Sequence, residues 1–173
     1  MAGFTHPEIQ RLFKRLNEKL AQKNIQGELY LVGGAVMCLL FEVRPSTKDI
    51  DALFIPATKL RPLIEQIAQE ENLPRNWIND GVKGFLSQKR DFNSYLDLSH
   101  LKVFTADPKY LLAMKCLAMR LGPAFTDESD IRFLLRYLNI ESYREALNII
   151  GEYYPLKKIP QKSFYALEEI LGE

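Results

Sequence analysis

Two glycines and two aspartates draw attention first, because of what their spacing permits. Gly33-Gly34 falls between a β-branched and aromatic run, Glu28-Leu-Tyr-Leu-Val32, and an apolar stretch over 35–42, so it marks a strand-to-helix turn. Lacking side chains, that turn lets a ligand reach backbone N–H groups at the positive end of a helix, a place suited to phosphate. Asp49 and Asp51 lie two apart in a second strand pattern over 49–55, and strand alternation puts both carboxylates on one side. Two like charges this close are costly without a cation. Paired hard oxygens suit Mg²⁺, which takes a few carboxylates together with waters and phosphate oxygens. A phosphate-binding backbone beside a carboxylate pair implies metal-assisted phosphoryl or nucleotidyl transfer.

Competing chemistries find no footing. The sequence has no Gly-x-x-x-x-Gly-Lys-Ser/Thr loop, Val-Gly-Gly-Ala-Val is not a dinucleotide-binding Gly-x-Gly-x-x-Gly, and neither His-Glu-x-x-His nor Gly-x-Ser-x-Gly occurs. Cys38 and Cys116 stand far apart in apolar neighbourhoods, which reads as two small buried hydrophobes rather than a zinc site.

The elements that must position these residues emerge from periodicity. Ile9, Leu12, Phe13, Leu16 and Leu20 recur at helical spacing, so 7–23 reads as an amphipathic helix with Pro7 in its first turn. Strands over 28–32 and 49–55 should be neighbours, with a short buried helix over 35–42 between them. A further helix runs from about Leu60 to Asn72, a turn and a short helix surround Trp77, and two strands cover 95–98 and 102–105. Asp107-Pro108 is a helix start, an N-cap acid with Pro in the first helical position. Helices then run to Gly122 and over 126–138, 142–151 and 163–171. The fold class expected is α+β: a small mixed sheet with helices on one face, and a helical C-terminal region packed with it. The chain reads as one domain, mixed to about residue 105 and helical from about 106. Its core candidates are Leu12, Phe13, Leu16, Leu31, Val36, Leu39, Leu53, Ile64, Ile67, Leu112, Leu117, Leu134 and Leu138.

With 173 residues, 47% of them hydrophobic and only 2 Cys, the chain can bury a proper core and is neither a disordered segment nor a disulfide scaffold. Its longest uncharged run, over 29–41, is too short to span a bilayer, and its first ten residues carry no secretory pattern. A cytoplasmic location without membrane contact is expected. The net charge of +1 predicts no bulk polyanion binding. Between Lys83 and Arg120, however, seven basic residues face three acids, a local excess that would favour an RNA acceptor if it lined one cleft.

Gly33-Gly34 followed by Arg44-x-x-Thr47-x-Asp49-Ile-Asp51 resembles the signature of the DNA polymerase β-type nucleotidyltransferase superfamily. The likeness is nearest to the small bacterial nucleotidyltransferases of abortive-infection and toxin–antitoxin systems, the AbiE toxin type. Leu111-Leu-Ala-Met-Lys115-Cys-Leu-Ala-Met-Arg120 with Asp127-x-x-Asp130-Ile resembles their helical motifs, and Trp77-Ile-Asn-Asp80 resembles a block in related proteins. The resemblance spans roughly residues 28–138. It implies that Gly33 and Gly34 contact the triphosphate of an NTP, that Asp49 and Asp51 hold one or two Mg²⁺ ions, and that Thr47 binds a phosphate or orients the aspartates. Arg44 would offset phosphate charge, and Lys115 would do the same with Asp130 orienting it. A third carboxylate on a later strand would complete the metal site and deprotonate the acceptor hydroxyl. Asp97 is the candidate, with Asp91 and Asp80 as competitors. Most of the superfamily has Gly-Ser where this chain has Gly-Gly, which removes one phosphate contact. The reaction implied is transfer of an NMP to an acceptor hydroxyl, on an RNA 3′ end or a protein, in a toxin–antitoxin or phage-defence setting with a cognate protein partner. The alternative is a nucleotide-binding or antitoxin module that keeps the fold and transfers nothing.

Overall fold

Thr5 starts the first helix by a reciprocal cap: its hydroxyl accepts from the Glu8 backbone N–H at 3.3 Å while the Glu8 carboxylate accepts from the Thr5 N–H at 3.1 Å. Such caps contribute about 1 kcal/mol. In the computed structural model, which describes residues 3–122 and 124–172, the elements run in this order. Strand β1 (Phe4–Thr5) leads into α1 (His6–Gln22), β2 (Gly27–Val32), α2 (Gly34–Leu39), β3 (Ser46–Thr47), β4 (Ile50–Ile55) and α3 (Ala57–Glu71). Then come β5 (Ile78–Asn79), a 3₁₀ turn (Gly81–Phe85), β6 (Phe92–Asp97) and β7 (Leu101–Ala106). Helices α4 (Pro108–Leu117), α5 (Asp127–Tyr137), α6 (Tyr143–Tyr153) and α7 (Gln161–Leu171) complete the described chain.

The chain divides into two compact units. One takes the chain up to Gly84 together with Phe92–Ala106; the other takes Phe85–Asp91 and the chain from Asp107 onward. The first holds a five-stranded mixed sheet in the order β5-β4-β2-β7-β6, and β1 pairs with β3 beside it. Strands β2 and β4 are antiparallel neighbours, with Val32 opposite Asp51 and Glu28 opposite Ile55, as the spacing predicts. Strand β7 runs parallel to β2 on its other side. Alternation is clean: Leu29, Leu31, Ile50, Ala52, Phe54, Leu101, Val103 and Thr105 are buried, and α1 and α3 pack together against β7 and β4. Fully burying each such leucine or phenylalanine contributes about 1.5–3 kcal/mol.

In the second unit, Asp107 caps α4 by accepting from the Lys109 N–H at 3.0 Å, and Ser142 caps α6. The segment 85–91 joins these helices through side chains. The Tyr154 hydroxyl donates to the Phe85 carbonyl, the Ser87 N–H to the Tyr110 hydroxyl at 3.1 Å, and the Tyr153 hydroxyl to Asp91 at 2.6 Å. A sequence division at 105/106 does not anticipate that excursion, because it rests on tyrosines more than 20 residues away.

Three expectations need correction. The region around Trp77 forms the short strand β5 rather than a helix: the Trp77 carbonyl accepts from Ile50 N–H at 3.1 Å, and its buried indole donates to the Ile64 carbonyl at 2.8 Å. Helix α4 ends at Leu117, short of Gly122. Leu53, Leu117 and Leu138 are half-buried rather than core; Leu53 shares the parity of Asp51, on the sheet face opposite α1 and α3.

Candidate functional site

The turn between β2 and α2 is built as its glycines require. Gly33 has φ +68° and ψ −146°, a conformation that side chains other than hydrogen tolerate poorly. A Cβ on Gly33 would lie 3.3 Å from Asp51 Oδ2, so the carboxylate rests directly against the turn. A Cβ on Gly34 would lie 2.8 Å from Thr47 Oγ1 and 3.1 Å from Arg44 Nη1. Residues Arg44, Thr47 and Asp51 thus close on the two glycines, brought there by the antiparallel pairing of β2 with β4 and by β3. Thr47 is buried, and its hydroxyl donates to the Asp49 carbonyl at 3.1 Å, which shapes the backbone entering β4. Asp49 itself is exposed and stands one residue before that strand.

Asp97 does not join them. Register carries Asp51 to Val32, whereas Asp97 pairs with Lys102 and Lys102 with Glu28. Asp97 thus shares the face of Asp51 but sits at the opposite end of the sheet, three strands across and four residues along, roughly 20 Å away. The apolar-acid-apolar pattern of Leu96-Asp97-Leu98 signals a strand face; it carries no information about which end of the sheet the acid occupies. Asp91 is held by Tyr153 in the helical unit. Asp80 is held by Arg61 at 2.6 Å and Lys83 at 3.1 Å, and the Arg61 guanidinium keeps its carboxyl below the usual carboxylate range. Among the described residues, no three His, Cys, Asp or Glu side chains form a metal-holding group.

The side chain that does flank Asp51 is Asn79. Strand β5 runs parallel to β4, with Asn79 opposite Asp51, and the Asn79 side-chain oxygen accepts from Gly81 N–H at 2.7 Å. Its role escapes a sequence reading that searches only for acids. On the β2 side, the face carrying Asp51 continues into an aromatic cluster. Tyr30 stacks on Phe104 with ring centres 4.8 Å apart, and Phe92 meets Tyr30 edge-on at 5.1 Å. Burial and a hydrogen bond to Glu28 push the Tyr30 hydroxyl's pKa up.

Lys115 and Asp130, in the helical unit, meet as a buried pair at 2.8 Å, and Asp127 joins at 3.3 Å. Asp127 also accepts from the Arg120 N–H at 2.8 Å and its Nε at 3.0 Å. All three side chains of the Lys115 group are under a tenth exposed. The pairing of Lys115 with Asp130 is the one expected of an orienting acid, and Asp127 is a second carboxylate on the same ammonium. Asp127 is the partner that motif matching leaves without a role, although its i,i+3 spacing from Asp130 on one helix face is legible. Of the seven basic residues between Lys83 and Arg120, four carry carboxylate partners: Lys83, Lys89, Lys115 and Arg120. Both cysteines are buried, and burial pushes the Cys116 thiol up to about 12, which removes it as a nucleophile at neutral pH.

Residues 8–151 match the family described as "Nucleotidyltransferase of unknown function (DUF6036)". The chain belongs to that family. A crystal structure of an antigenic nucleotidyltransferase-like protein from Paracoccidioides brasiliensis has a similar fold, with a TM-score of 0.50 and 16% identity over 99% of this chain and 100% of that one. No curated protein matches the chain. The mixed sheet and helices are thus a nucleotidyltransferase-like fold, and the Gly33–Asp51 cluster lies within the matched family span. No helix among the described residues is long and apolar enough to cross a membrane.

Proposed function

We propose that this family member binds a magnesium nucleoside triphosphate at the β2–α2 turn and passes its NMP to an acceptor hydroxyl. The observation that carries the reading is the approach of Asp51 Oδ2, Thr47 Oγ1 and Arg44 Nη1 to the positions where Cβ atoms of Gly33 and Gly34 would stand. Phosphate-facing backbone and a carboxylate are thereby joined in one small volume. Asp49 and Asp51 are hard oxygen donors of the kind Mg²⁺ takes in ones and twos beside substrate phosphates, so the donor set fits one ion, which supplies charge neutralisation at the phosphates. Gly33 and Gly34 offer backbone N–H groups, Arg44 offsets phosphate charge, and Thr47 keeps Asp49 in place through its carbonyl. In the transfer, the acceptor oxygen bonds to the α-phosphorus, the bond to the β-phosphate bridging oxygen breaks, pyrophosphate leaves and the hydroxyl proton passes to water. Positioning and charge compensation would supply most of the acceleration. The likeness to AbiE-type toxins supports a cytoplasmic, bacterial toxin–antitoxin or phage-defence role with a cognate partner, and RNA or protein as acceptor.

A second reading, nucleotide binding without transfer, is favoured by the distance of Asp97 from Asp51. One experiment separates the two. The purified protein is incubated with Mg²⁺, each α-labelled NTP, and total RNA or cell extract. Covalent label on an acceptor, lost with EDTA, supports transfer; retained Mg²⁺-dependent binding with no label supports the binding module. Absence of Mg²⁺-dependent binding for every NTP overturns both.

A further inference from the structure

Asn79 reaches the candidate site on a strand of its own and has no part yet in the proposed transfer. Ile78 and its partner Ile50 are buried, so alternation turns Asn79 to the face of Asp51, its own partner in the parallel pair. The two strands lie roughly 4.8 Å apart. Strand β5 is held at both ends. The Trp77 carbonyl accepts from Ile50 N–H before it, and just after it Asp80 is gripped by Arg61 at 2.6 Å and Lys83 at 3.1 Å. Between these holds the Asn79 amide has one orientation, because its oxygen accepts from Gly81 N–H at 2.7 Å. That bond leaves the NH₂ end outward. The amide nitrogen makes no hydrogen bond among the described residues and is open to solvent.

Resting on the proposed transfer, we infer that Asn79 contacts the substrate: its NH₂ group donates to a non-bridging oxygen of the α-phosphate. The strand order β5-β4-β2 and the register of Asn79 with Asp51 and of Asp51 with Val32 set Asn79, Asp51 and the Gly33–Gly34 turn in one row. The terminal phosphates are assigned to the turn and Mg²⁺ to the carboxylates. A phosphate chain that starts at the turn and crosses Asp51 therefore brings its α-phosphate to the Asn79 side. The chemistry of the amide narrows what it does there. Its nitrogen neither ligates Mg²⁺ nor takes a proton from the acceptor. It can donate to an oxygen whose charge must be stabilised as the α-phosphorus is attacked. A carboxylate in its place would meet that oxygen as a like charge.

Two variants separate this contact from a structural role in the turn. In Asn79→Asp a carboxylate still accepts from Gly81 N–H, so the turn is kept while the donor becomes an acceptor; Asn79→Ala removes both. Binding of each NTP and of inorganic pyrophosphate, all with Mg²⁺, is measured by calorimetry, with urea midpoints alongside and the Asn79 side-chain amide signals of the parent followed by NMR. Pyrophosphate can fill the turn but has no α-phosphate. At least one NTP should lose about tenfold or more in affinity in both variants, while pyrophosphate binds Asn79→Ala as it binds the parent. The Asn79 NH₂ signals should move with that NTP and stay with pyrophosphate, and the urea midpoint of Asn79→Asp should match the parent's. Unchanged or tighter NTP binding in Asn79→Asp, or equal losses for NTP and pyrophosphate in folded Asn79→Ala, overturns the inference and leaves the proposed function standing. If Asn79→Ala does not fold, Asn79→Asp decides by itself. Absence of Mg²⁺-dependent binding for every NTP in the parent overturns the proposed function and this contact with it.

Discussion

Asp49 and Asp51 make the most direct demand at the residue scale, since they are the two carboxylates assigned to Mg²⁺. Asp49→Asn with Asp51→Asn should abolish Mg²⁺-dependent nucleotide binding in equilibrium dialysis while leaving the circular dichroism spectrum and urea midpoint within error of the parent. Unchanged nucleotide affinity would remove both residues from the site. Asp97 carries the opposite expectation. Its place beside Lys102, in line with Glu28 at the far end of the sheet from Asp51, leaves it no part in metal or proton chemistry there. Asp97→Ala should keep nucleotide binding and any transfer at parental levels, and a loss of transfer with binding retained would return it to the reaction.

At the element scale, the β2–α2 turn is where the fold accepts a constrained backbone for the sake of close approach. Gly33→Ala forces a side chain into φ +68°, ψ −146°, a cost of about 1–3 kcal/mol, visible as a lower urea midpoint. Gly34→Val acts differently. Its branched side chain would displace the Thr47 hydroxyl and the Arg44 guanidinium, so nucleotide affinity should fall more than stability does. Equal affinity in a folded Gly34→Val protein would show that the turn serves structure alone.

Over the whole molecule, the helical unit depends on a charge arrangement that is neutral as a set. Lys115 and Arg120 face Asp127 and Asp130. Lys115→Met leaves two buried carboxylates without their ammonium and should cost about 3–5 kcal/mol, measured by urea unfolding. Burial raises the Asp127 carboxyl, but hydrogen bonds from Arg120 and the charge of Lys115 outweigh it and hold the group below its ordinary value. A carboxyl whose folded-state pKa lies below its unfolded one stabilises the fold above the unfolded value, and that contribution fades as pH falls through the folded value. Thermal unfolding midpoints should therefore drop from the ordinary aspartate range downward, and less steeply in Asp127→Asn. Equal slopes in the two proteins would show that Asp127 does not contribute to acid sensitivity.

Local pattern is enough for whatever depends on near neighbours in the chain. Helix α1 arises from apolar spacing and the Thr5 cap, α4 from Asp107-Pro108, and the pairing of β2 with β4 from two short strands joined by a buried helix. The Gly33, Gly34, Arg44, Thr47 and Asp51 cluster is legible for the same reason, because one antiparallel pair with β3 beside it closes it within 19 residues. The places of Asp97 and Asn79 are not. Strand alternation tells which face a side chain takes, but the end of the sheet is set by register with strands far away in sequence, and that register puts Asp97 beside Lys102, in line with Glu28 instead of Asp51. Asn79 reaches Asp51 only because β5 adds to the edge of β4 in parallel, a pairing that Trp77 secures by burying its indole under α3. The pairing of Lys115 with Asp130 is legible from their motifs, but Asp127 joins them only in the packed structure, where desolvation makes compensation of the two carboxylates necessary.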